Sequence, residues 1–132
     1  MAWLNDNLSE NVRYSYPEYP AYIDVISPNV FPGGSHTMHW HDDIEFLYFL
    51  SGGDDYTVNG QKIPLTAGEG IFINSRQMHY GTPTKDSRVL CIRLNPGILC
   101  MSLFFESNYI LPVIQNSNMP YIRLSPDTEW QK

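Results

Sequence analysis

The sequence predicts an all-β fold, a sandwich or barrel of short strands followed by a short helical segment. Short runs of β-branched and aromatic residues recur at close spacing, with turn residues between them and no long helical period. Aromatic residues make up 14% of the chain, with nine tyrosines, which suits strands and a lined pocket. Ten prolines and nine glycines are spread along the whole length, as many turns require.

The elements follow in order. Residues 1–20 are polar and tyrosine-rich, with Pro17 and Pro20, and read as an N-terminal arm. AYIDVIS (Ala21 to Ser27) alternates like a first strand, and PNVFPGGS is a loop. His36 to Leu50 reads as one long strand or a bent pair, with SGGDD turning the chain behind it. Tyr56 to Val58 and Gln61 to Ile63 flank Asn59-Gly60, the signature of a hairpin with a type I′ turn. Leu65 to Gly70 is a tight connection, Gly70 to Ile73 a strand, and Asn74 to Met78 a loop that delivers His79. RVLCIRL (Arg88 to Leu94) is another strand. A short helix is expected around Leu99 to Glu106, with Pro112 limiting its extension. Met119 to Leu124 reads as the last strand, so the barrel spans residues 21–124. Ser125 then resembles an N-cap, Pro126 a first helical residue, and Asp127 and Glu129 the acids of a first turn. Residues 125–132 are expected to start a helix leading to a further C-terminal domain.

The 132 residues suffice for one domain with a real core. A net charge of −6 with eight scattered basic residues disfavours direct nucleic-acid binding, which needs clustered Lys and Arg. Cys91 and Cys100 form no C-x2-C pair, so a zinc knuckle is not expected and both thiols are expected free. The opening residues lack a secretory signal, and no apolar run approaches the ~18 residues of a membrane span. A cytoplasmic location is the expectation.

The chemistry concentrates between Gly33 and Gly52, where the spacing is G-x5-H-x-H-x3-E-x6-G through His39, His41 and Glu45. Alternate residues of a strand share a face. On a regular strand these three side chains converge, with the two His Cα atoms ~6.7 Å apart. His79 supplies a fourth group. Such a set suits a divalent metal (Fe, Mn, Ni, Zn or Cu), a metal-free pocket for a small effector, or a buried hydrogen-bond network. Arg76 and Tyr80 flank His79, as pocket groups or as exposed loop residues. His36 falls on the opposite face. Trp40, Phe46, Tyr48 and Leu50 share one parity and Leu47 and Phe49 the other, so the strand is expected to be buried on both faces. Asp42 and Asp43, being adjacent, face opposite ways and make no catalytic pair. No nucleophile motif is present and no catalytic residue is assigned.

The Gly33–Gly52 spacing resembles the first motif of the cupin superfamily. The second motif, G-x5-P-x-G-x2-H-x3-N, is matched in part: Gly68 and His79 keep their spacing. Asn74 replaces the proline, Arg76 the second glycine, and Pro83 the final asparagine. HWHDDIEFLYFLSG and YTVNGQKIPLTAGEGIFINSRQMHYGTP narrow the resemblance to the N-terminal sensing domains of AraC-family transcription regulators, over about residues 20–95. The resemblance implies a cupin-type jelly-roll β-barrel (a double-stranded β-helix), with His39, His41, Glu45 and His79 at the family's metal-ligand positions. It also implies a small-molecule effector, a sugar or an aromatic acid among the candidates, and an arm able to fold over it. The full-length protein would be a homodimer touching DNA through a helix-turn-helix domain outside this chain. The function expected is regulatory, not enzymatic. The alternative is a stand-alone metal-dependent cupin enzyme, such as a dioxygenase or isomerase.

Overall fold

Two long strands organise the chain. The structure, a computed structural model, describes residues 4–14, 16–27 and 37–132; Gly33, His36 and the loop expected at 28–35 lie outside the described residues. The strands are β1 (Ala21–Ile26), β2 (Ile44–Val58), β3 (Gln61–Thr66), β4 (Gly70–Ile73), β5 (His79–Leu94) and β6 (Tyr121–Leu124). They form one antiparallel sheet in the order β1-β5-β2-β4-β6, with β3 paired to β2.

β2 and β5 pair along nearly their whole length as a single ribbon. The first half of β2 takes β4 as its other neighbour, and the second half takes β3. Between the halves the register shifts at Phe49/Ser51, Ser51/Gly53 and Gly53/Asp54. These irregularities bend the ribbon, as bulges do. Gly52 is essential to the bend: its φ is +79°, and a Cβ there would stand 2.2 Å from the Asp86 carbonyl oxygen and 2.6 Å from Ser87 Cα. The bent ribbon encloses one apolar core. Leu47, Phe49, Tyr56 and Val58 of β2 meet Ile63, Leu65, Ile71, Ile73, Val89 and Cys91 from the other strands. Full burial of each large aliphatic or aromatic side chain contributes roughly 1.5–3 kcal/mol.

The type I′ hairpin forms as expected, with Asn59 at φ 48° and Gly60 at φ 81°. Several boundaries differ from expectation. SGGDD does not turn the chain; it is the bulged middle of β2. β2 begins at Ile44, and before it His39 and Trp40 make only isolated bridges, to His79 and Ser9. β5 begins at His79, nine residues before Arg88, because its first half pairs with Asp54–Val58.

The outer face of β2 is also less covered than parity suggested. Tyr48 is 46% and Leu50 44% exposed.

After a 3-10 turn at Pro96–Leu99, helical backbone runs over 103–114. It therefore continues past Pro112, where the sequence suggested a limit. A π-turn at Glu106–Ile110 widens the helix just ahead of the proline. The wider turn relieves the clash between a proline ring and the carbonyl four residues back. At the end of the chain, Ser125 Oγ does accept from the Asp127 N–H at 3.2 Å. The helix begins later, as a single 3-10 turn at Glu129–Gln131. Among the described residues no helix is long and apolar enough to cross a membrane.

Candidate functional site

His39, His41, Glu45 and His79 come together and are all buried. One ligand atom from each lies within 4.8 Å of the others. Glu45 enters from the start of β2 and His79 from the start of β5. His39 is held against His79 by paired backbone hydrogen bonds of 3.1 and 2.9 Å. A bend at Asp42 and Asp43 separates His41 from β2, so the convergence arises from bridge, bend and strand together, not from one regular strand. The Arg76 N–H donates to the His41 carbonyl at 2.8 Å, tying the 74–78 loop to the histidine pair.

The tautomers follow from the backbone. Nδ1 of His39, His41 and His79 lies 2.7, 3.0 and 2.7 Å from the carbonyl oxygens of Thr37, Asp43 and Gln77. A carbonyl can only accept, so each Nδ1 carries the proton. In the neutral rings each Nε2 then presents a lone pair. Nε2 of His41 and of His79 both lie 3.1 Å from Glu45 Oε2, itself an acceptor. These lone pairs need a cation between them, either a proton on the imidazole or a metal ion. Backbone-anchored imidazoles of this kind are the outer-shell arrangement of metal-binding histidines, and the donor set fits a divalent ion.

The protonation equilibria reflect the crowding. Burial, then the neighbouring His79, lowers the His39 pKa to about 3. For His41 burial acts in the same direction, but the hydrogen bond and charge of Glu45 override it and the pKa rises. Burial would raise the Glu45 carboxyl, yet its bonds to His41 and His79 hold it well below the ordinary range.

Two of the expected site residues are elsewhere. Arg76 is exposed, at φ 62°, and pairs with exposed Asp42 at 2.5 Å. Tyr80 follows His79 along β5 and so takes the opposite face. It lines an outer cleft of about 350 Å³ with Met38, Thr57, Lys62 and Thr82.

Five other residues join the site. Cys91 Sγ lies 3.2 Å from Glu45 Oε1 as a donor. Arg93 stands directly opposite Glu45 in the β2–β5 register. From the arm, Glu10 accepts two 2.6 Å bonds from Arg93 Nη1 and comes within 3.5 Å of His39 Nε2. Tyr14 donates to the buried Asp43 carboxylate at 2.7 Å, and burial together with that carboxylate raises its pKa to about 12. Cys91 and Arg93 had a signal in the sequence, since Val89, Cys91 and Arg93 alternate onto one face of RVLCIRL. Glu10, Tyr14 and Asp43 had none.

The family model of the cupin domain matches residues 29–93. The fold is that of the cupins. An RmlC-like cupin from Shewanella frigidimarina is 18% identical at a TM-score of 0.52, over 58% of this chain and 68% of that one. A cupin superfamily protein from Desulfitobacterium hafniense is 19% identical at a TM-score of 0.53, over 61% of this chain and 71% of that one. At these identities the likeness concerns the fold alone. Among curated proteins, the chain is similar to the uncharacterised HTH-type transcriptional regulator YdeC of Bacillus subtilis (strain 168). They are 31% identical over 133 residues, covering 98% of this chain and 45% of YdeC. This chain thus spans less than half the length of that relative.

Proposed function

We propose that this cupin is the effector-sensing domain of an AraC-type transcription regulator. The observation that carries the reading is the extent of the likeness to YdeC. It runs through 98% of the chain and so takes in the arm and the segment after the barrel. The likeness to the two solved cupins covers 58% and 61%. A small molecule entering beside the His–Glu cluster would act by population shift, favouring one arrangement of arm, barrel and DNA-binding domain. In this reading the signal would pass through Asn74. Buried Asn74, at the head of the loop carrying His79, donates to the carbonyls of Val113 and Met119 at 2.8 and 3.0 Å. DNA contact and dimer formation belong to the full-length protein in this reading. The test is the coding sequence after Lys132: a basic helix-turn-helix region is expected, and a stop codon would overturn the proposal.

A metal-dependent enzyme is the second reading. It is favoured by three buried imidazoles with backbone-fixed Nδ1 protons, two of which, His41 and His79, bring Nε2 to 3.1 Å from the Glu45 carboxylate. His39, His41, Glu45 and His79 would hold the ion, and a divalent metal such as Fe, Mn, Ni, Zn or Cu would supply Lewis-acid chemistry there. Elemental analysis of protein purified without chelator separates the two readings. Near-stoichiometric metal with turnover of a substrate supports the enzyme; low, variable metal supports the sensor.

A further inference from the structure

Arg93 is a poorly satisfied cation beside the His–Glu cluster. Its side chain is only 13% exposed. A guanidinium offers five N–H donors in a fork that matches a carboxylate two bonds at a time. Glu10 uses that fork badly, because both of its oxygens fall on the single nitrogen Nη1. Nε is buried and has no hydrogen-bond partner. An orphaned buried donor is destabilising, and a bidentate oxyanion would relieve it.

The surroundings suit a small organic acid. The register places Tyr22, Arg93, Glu45, Ile73 and Tyr121 in one row across β1, β5, β2, β4 and β6. Tyr22 and Tyr121 pack against the core beneath. Arg93 Cζ lies 5.0 Å from the centroid of the Tyr22 ring, a cation–π placement that holds the guanidinium in position. The row therefore offers one fixed positive charge with an aromatic neighbour, close to the His–Glu cluster. Glu10 is a different kind of neighbour. It arrives on the arm, which is joined to the barrel by the Trp40 bonds to Leu8 and Glu10 and by Tyr14.

We propose that Arg93 recognises a carboxylate on the effector and that Glu10 is a built-in stand-in for it. The proposal rests on the sensor reading of the barrel. An acid binding at Arg93 replaces one negative charge by another, completes the fork, and sets the Glu10 end of the arm free. Of the ligand classes open from the sequence, it selects acids over neutral sugars.

Acetate is the probe, because it is the piece of side chain that Glu10→Ala removes; acetamide is its neutral control. NMR of the full chain follows the Arg93 Nε–H signal and the backbone amides of Tyr22 and Glu45. In Glu10→Ala, acetate is expected to shift all three saturably, at about tenfold lower concentration than in the unaltered chain, and acetamide to shift none. Arg93→Lys keeps the charge but loses the fork, so its Tyr22 and Glu45 amides should lose the saturable response. If Glu10→Ala loses spectral dispersion, Glu10→Gln keeps the volume without the charge and should yield to acetate more readily than Glu10 does. An absent acetate response in the folded variants, or an equal response in the variant and unaltered chains, would overturn the proposal. That failure would leave the sensor reading standing, since the latter is decided by the sequence beyond Lys132.

Discussion

Asp54 shows at the level of one residue how burial shapes this molecule. It is 2% exposed, and its Oδ1 accepts from the Thr82 N–H at 2.8 Å. Burial raises its pKa to about 6, against the partial relief of that bond. The folded state thus holds its proton more tightly than the unfolded chain. The associated stability is fully present below the unfolded value of 3.8 and is lost as pH rises through about 6. Asp54→Asn should therefore stabilise the protein at pH 7 by about 1–3 kcal/mol, an advantage that disappears in urea melts below pH 4. His41 follows the same sign rule for a different reason. Its raised pKa depends on Glu45, so in chelator-treated protein its NMR titration midpoint should lie above 6.5 and fall in Glu45→Gln. The stability contributed by the raised pKa of His41 is complete below 6.5 and fades above the folded midpoint. Arg76→Ala should change stability by no more than about 0.5 kcal/mol, since both partners of its ion pair are exposed; a larger loss would show that the loop depends on it. The convergence of the His–Glu cluster was legible in the sequence because three of its members lie within seven residues. The Glu10–Arg93 contact was not, because it spans a separation of 83 residues and local spacing carries no trace of it, although alternation along RVLCIRL puts Arg93 on the face of Cys91.

Among the elements, the bent ribbon was the hardest to read. Ser51-Gly52-Gly53 has the composition of a turn, and a bulge uses the same residues for the same backbone reason. Only the pairing of β2 with β5 on both sides of the glycines separates the two. The Asn59-Gly60 hairpin was legible because its type I′ geometry needs positive φ at two adjacent positions, and few dipeptides supply it. Helix 103–114 was half legible: its existence followed from composition, but the π-turn that admits Pro112 leaves no local mark. Gly52→Ala tests the bend. A methyl group there meets the β5 backbone while forcing an alanine to φ +79°, so a loss of about 2–4 kcal/mol is expected. A neutral result in thermal melts would mean that β5 can move aside.

For the whole molecule, charge and curvature matter most. At −6 with eight basic residues, this chain alone should show no sequence-selective retention of DNA in a gel shift at physiological salt. Tight, salt-sensitive binding would contradict that expectation. The barrel was legible as an architecture because many short apolar runs with turns have few other solutions; its closure was not, because it depends on where the ribbon bends. Val58 is paired with His79, and Glu45 with Arg93, at opposite ends of the same two strands. Laid straight, the thirteen residue-to-residue steps from Glu45 to Val58 would span about 43 Å. Yet His79 Nε2 lies 3.1 Å from Glu45 Oε2. The polar cluster is the clasp of a bracelet, where the two ends of one band are drawn together. On the proposed sensor reading, an ion or an acid only a few ångströms across, arriving at that clasp, would act where the two ends of the whole band meet.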